Sequence, residues 1–180
     1  MTNLMALVLV ALSAEPGAGE ARMPFQAWWV DSLQQVLVEE TAPRLPPPGE
    51  LHAARGEFEA IQVAVRSSTA RRVSLAAEPF AAGLPVRVRT VGRVPIVRGT
   101  HHTPKEQRVA EPPADLPDPL FPGDALDLQA GRTDCFWLDV QVPAATKPGE
   151  YRTRIKVSSD GTSVDLPLAL HVHQATVPFQ

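Results

Sequence analysis

Breaking a glycosidic or ester bond requires acids, bases or nucleophiles held in register, so the carboxylates, the histidines and the single thiol are weighed first. Glu57 and Glu59 stand two apart in an extended stretch and share a face, but Arg55 flanks them and the pattern reads as a solvated or ion-paired edge. Asp115, Asp118, Asp124 and Asp127 concentrate acid in one proline-rich stretch. Oxygen ligands of that kind suit calcium, yet their spacing matches no Asp-x-Asp calcium loop, and turn-capping acids are expected instead. His101 and His102 are adjacent, which sends the two rings apart in an extended chain. His171 and His173 share one face of the last strand and would need a third ligand to hold a metal. Their neighbours Leu170 and Val172 are apolar, so the histidines are expected to face solvent or a partner, and no metal site or cofactor is expected. Cys135, the one cysteine, lies in a strand pattern and reads as a packed, unreactive thiol. The sequence has no Gly-x-Ser-x-Gly elbow, phosphate-cradling glycine loop or His-Glu-x-x-His, and no catalytic residue is assigned.

Trp28, Trp29 and Trp137 offer flat aromatic surface of the kind that stacks on sugar rings. Trp28 and Trp29 are the candidates for that role, although adjacent residues of a strand point to opposite faces and at least one should be core.

The elements that would position these residues are strands. Val164, Leu166, Leu168, Leu170 and Val172 alternate with polar or small residues, as do Tyr151, Thr153, Ile155 and Val157. Asp160-Gly161 between the two runs predicts a tight hairpin, because both residues tolerate positive φ. Phe136, Leu138, Val140 and Val142 line a further strand, and Ile61, Val63 and Val65 another; Val73 and Leu75 begin a short one. Val86, Val88, Val94 and Ile96 suggest one long strand or two short ones, with Gly92 as a bulge. Residues 28–33 and 35–38 read as the first strands, with a helix as the alternative. Two stretches lack strand character: 41–50, and a long proline-rich loop over 98–132.

The 180 residues suit one domain, with 44% hydrophobic and 21% charged residues, a composition of ordinary globular proteins. A net charge of −3 with scattered basic residues excludes the basic stripe of a nucleic-acid binder. A single cysteine excludes an intrachain disulfide, and 19 prolines with few helical patterns favour short strands and stiff loops. An apolar run at 4–12, too short to span a bilayer, and small residues after it read as a signal peptide over 1–21, cleaved after Ser13, Ala14 or Ala21. The protein is therefore expected to be exported, periplasmic or extracellular, with no membrane span once the signal is removed. Residues 22–180 are expected to form a single all-β, immunoglobulin-like antiparallel sandwich of about seven to nine strands.

Five motifs occur in a familiar order: Trp29-Val30-Asp31-Ser32-Leu33, the run from Leu51 through Arg55-Gly56-Glu57-Phe58 to Gln62, Pro117-Asp118-Pro119-Leu120, Phe136-Trp137-Leu138-Asp139-Val140 and Pro148-Gly149-Glu150-Tyr151. Together, from Phe25 to Pro178, they resemble the N-terminal β-sandwich domain that precedes the catalytic barrel in bacterial proteins related to glycoside hydrolase family 123. The resemblance implies a carbohydrate-active context, with N-acetylgalactosaminide hydrolysis as the family activity. It also implies that catalysis resides on the following barrel, in an adjacent Asp-Glu pair that this sequence lacks, so no catalytic residue carries over. The expected role is that of a non-catalytic accessory domain packed on such a barrel. The suggested contact is the long loop through His101, His102, Pro119, Leu120 and Phe121. The alternatives are a stand-alone carbohydrate-binding module using Trp28 or Trp29, and an adhesion or scaffold domain.

Overall fold

The alternating runs build two packed sheets in the computed structural model, which describes residues 23–99 and 102–178. The expected signal segment 1–21 lies outside the described residues. Ten strands follow in order: β1 Gln26–Asp31, β2 Gly49–Arg55, β3 Phe58–Arg66, β4 Arg71–Ala77, β5 Val86–Ile96, β6 Ala114–Pro122, β7 Ala125–Leu128, β8 Thr133–Gln141, β9 Gly149–Ser159 and β10 Thr162–Thr176. One sheet has the order β1-β3-β8-β5-β6 and the other β2-β10-β9-β4-β7. The all-β sandwich read from the sequence is the fold observed.

The core lies between the sheets. Val63 and Val65 of β3 and Phe136, Leu138 and Val140 of β8 meet Val73 and Leu75 of β4, Ile155 and Val157 of β9, and Leu168 and Leu170 of β10. Burying each such side chain contributes roughly 1.5–3 kcal/mol, which replaces the staple a disulfide would give a smaller domain. The predicted C-terminal hairpin is present: Ser159 pairs with Thr162, and Asp160 and Gly161 take φ of 47° and 77°. β5 is a single strand, and its register slips between Val91 and Arg93, which makes Gly92 the expected bulge.

Part of the first sheet is buried on its outer face as well. Trp28, Val30, Ala64, Val91 and Cys135 point away from the main core and pack, with Val36, into a second apolar cluster. Its cover is the connection 32–48 between β1 and β2. Arg93 pins that connection by donating to the Val36 carbonyl at 2.6 Å and the Thr133 carbonyl at 2.6 Å, with Asp134 at 3.2 Å. Gln62, buried in the same layer, donates to the carbonyls of Asp31 and Gln34, so the polar group placed there keeps its hydrogen bonds.

Four sequence expectations are corrected. The stretch 98–132 is not one loop, because it contains β6 and β7. Pro117, Pro119 and Pro122 fall in β6, which is an edge strand of its sheet. Proline lacks an N–H and so interrupts a ladder bonded on both sides, whereas the open side of an edge strand accommodates it. Residues 35–38 form neither strand nor helix; they cap the second cluster through Val36. β2 pairs with β10 in parallel, so the sandwich is not wholly antiparallel. Among the described residues there are ten strands, where about seven to nine were expected.

Candidate functional site

Trp28 and Trp29 occupy opposite faces of β1, as strand geometry requires, and both are buried, 3% and 4% exposed. Trp29 enters the main core and Trp28 the outer cluster. Burial on both sides leaves neither ring the open face that stacking on a sugar requires, which corrects that expectation. Both residues nevertheless border a cleft of about 370 Å³ whose walls include Pro47, Pro48, Glu50, Arg152 and Pro167.

The residues suggested as a contact surface divide. His101 lies outside the described residues, and His102 is exposed in the connection between β5 and β6. Leu120 pairs with Val91 and packs against the outer cluster beside Trp137. Pro119 and Phe121 point to the opposite side of β6 and lie against Gly92, where a Cβ would fall 2.4 Å from Phe121 Cε2 and 2.9 Å from Pro119 Cγ. Phe121 is nevertheless 54% exposed. The edge strand β6 therefore presents two apolar surfaces, one on each side.

Of the carboxylates weighed for catalysis or calcium, Glu57, Asp115 and Asp127 have partners within the sandwich. Glu57 Oε2 accepts the Ala54 amide at 2.7 Å, closing the turn between β2 and β3. Burial pushes the Glu59 carboxyl above the usual carboxylate range, and the neighbouring Glu57 charge adds to the effect. Asp115 receives Arg132 at 2.6 Å, and Asp127 receives Arg72 at 3.0 Å. Cys135 is 1% exposed, and burial drives its thiol up to about 12. It is a packed thiol with no ready route to a thiolate.

Sequence reasoning missed one constellation. The parallel pairing of β2 with β10 sets His52 directly beside His171. Leu51, Ala53, Leu170 and Val172 face the core, so Glu50, His52, His171 and His173 share the outer face of that sheet. The His52 and His171 rings stack at 4.7 Å, and His52 and His173 at 5.6 Å. One ligand-type atom from each of Glu50, His52 and His171 lies within 4.8 Å of the others. The spacing of His171 and His173 gave half of this group; the other half depended on a pairing across more than a hundred residues.

Among the described residues no helix is long and apolar enough to cross a membrane.

Residues 53–159 match the family model described as the glycoside hydrolase 123 N-terminal domain. Among solved structures, a family 123 glycoside hydrolase from Clostridium perfringens, analysed for glycolipid glycan hydrolysis, aligns with a TM-score of 0.63 at 15% identity. The match covers 86% of this chain and 28% of that one, so the chain spans little more than a quarter of that relative's length. The CooA pilin subunit of enterotoxigenic Escherichia coli aligns at a TM-score of 0.39 and 11% identity, over 84% of this chain and 99% of that one. The N-terminal domain of PorA aligns at 0.41 and 8%, over 83% and 99%. A comparison with curated proteins finds no match.

Proposed function

The chain belongs to the glycoside hydrolase 123 N-terminal domain family, and on that footing we propose that it is a non-catalytic accessory sandwich of an exported glycoside-hydrolase-like protein, packed against a catalytic barrel. The observation that carries the reading is the family match itself, which runs through both sheets, from β2 to the end of β9. Domains of this kind stand in front of a larger catalytic unit, and the activity expected of the whole is hydrolysis of N-acetylgalactosaminides. The structural role of Glu57 in the turn between β2 and β3 fits a supporting rather than a chemical task for this portion.

The barrel is expected to rest on the β6 edge. Phe121 is half-exposed there on one side, and Leu120 and Trp137 border a shallow depression on the other. Prolines at 117, 119 and 122 blunt the edge against strand addition, which leaves side-chain packing as the mode of contact. The test is Phe121→Asp in a full-length relative that carries this sandwich. A lower melting temperature and reduced hydrolysis are expected, with the isolated sandwich changed little. Unaltered stability and turnover of the full-length protein would sink the assignment of this edge.

A further inference from the structure

The geometry points to a divalent transition-metal site on the outer face of the second sheet, with the Glu50 carboxylate and the His52 and His171 imidazoles as ligands and His173 as the fourth donor. Zinc is the ion that best fits two or three imidazoles and one carboxylate.

Three observations carry this. The donors come from adjacent strands in fixed register, Glu50 and His52 two apart on β2, His171 and His173 two apart on β10, with His52 opposite His171. Alternation then sends all four to one face, while Leu51 and Leu170 anchor the two strands in the core. Donor atoms of Glu50, His52 and His171 already lie within 4.8 Å of one another. Ligands around a tetrahedral zinc with bonds of about 2.1 Å stand roughly 3.4 Å apart, so the set has to draw in by about 1.4 Å, through turning of the exposed Glu50 and His52 side chains and the half-buried His171 ring. Among the described residues no hydrogen bond or ion pair occupies these four side chains, and their lone pairs are free to bind. Glu150, across from His171 on β9, is held by Arg152 and is not counted as a ligand.

A bound ion would tie the edge strand β2 to the C-terminal strand β10 at the sheet's one parallel junction. It would also sit at the rim of the cleft that Glu50 and His171 help to line, with any remaining coordination position open to water or to a carboxylate of a partner.

The experiment is calorimetric titration of the tag-free 180-residue chain with zinc chloride, repeated with cobalt chloride while the visible absorbance of the ion is followed. One equivalent is expected to bind and to raise the melting temperature, with EDTA reversing the shift. His52→Ala and His171→Ala should each weaken binding by at least the ~10–100-fold that loss of an outer-shell partner costs. Glu50→Gln, which keeps the shape of the side chain, should weaken it as well, and His102→Ala should leave it unchanged. Absence of saturable binding would overturn the inference, as would wild-type affinity in either Glu50→Gln or the His52→Ala, His171→Ala double variant.

Discussion

Gly49→Ala isolates the contact by which the two sheets are fitted together at the start of β2. The Trp29 indole crosses from β1 and lies on Gly49, so a Cβ there would fall 2.4 Å from Trp29 Cε2, 2.5 Å from Nε1 and 2.7 Å from the Pro167 carbonyl oxygen. Ordinary carbon contacts begin near 3.5 Å, which demands about 1 Å of retreat by the indole. Trp29 is 4% exposed in a close-packed core, and the Pro167 oxygen belongs to the backbone of β10, so neither gives way cheaply. Overpacking of this sort costs about 1–3 kcal/mol, offset by roughly 0.4–1 kcal/mol from the smaller entropy of the unfolded chain. A net loss of about 1–2 kcal/mol is expected, which for a domain of this size lowers Tm by ~2–8 °C. Scanning calorimetry of the purified chain reads the shift directly. In a Trp29→Leu background, which removes the indole but not the Pro167 oxygen, the cost of Gly49→Ala should shrink without vanishing. An unchanged or raised Tm on Gly49→Ala would refute the packing argument.

Arg93→Met should loosen the cover of the outer cluster, since two carbonyls and Asp134 lose a nearly buried cation. About 3 kcal/mol of stability is expected to disappear, with faster hydrogen exchange at the Thr133 amide, which donates to Val38 on the pinned connection. Cys135 should resist a thiol reagent such as DTNB in the folded chain and react at once in guanidinium. The fold holds this thiol neutral up to about 12, against an ordinary value of 9.0. The unfolded state therefore loses its proton first, and this group's contribution to stability, fully present below pH 9, declines as pH rises from there toward 12. Chemical denaturation across that range should show a steeper decline in wild type than in Cys135→Ala.

The sandwich was legible where local pattern and turn chemistry agreed. The β9–β10 hairpin followed from alternation and Asp160-Gly161, and the bulge from a glycine inside an alternating strand. Burial of Cys135 was equally plain from its neighbours. What escaped depended on partners distant in the chain. The prolines of β6 signal a loop when read alone and an edge strand only once β5 is known to lie on one side. The residues around Val36 look like a short strand by composition, yet the second apolar layer draws them into a cover. Glu50 and His52 carried no signal at all, because only the parallel pairing of β2 with β10 brings them beside His171 and His173. For Trp28 and Trp29 the alternation showed that the rings must part, but not that a second cluster would bury the outward one.

The central claim is that this sandwich supports catalysis performed elsewhere, and the most direct measurement is hydrolysis of an aryl N-acetylgalactosaminide. A full-length relative that carries this sandwich ahead of a barrel and residues 1–180 alone should be assayed side by side. Turnover by the relative and none by residues 1–180 is the predicted result; turnover by residues 1–180 would contradict it.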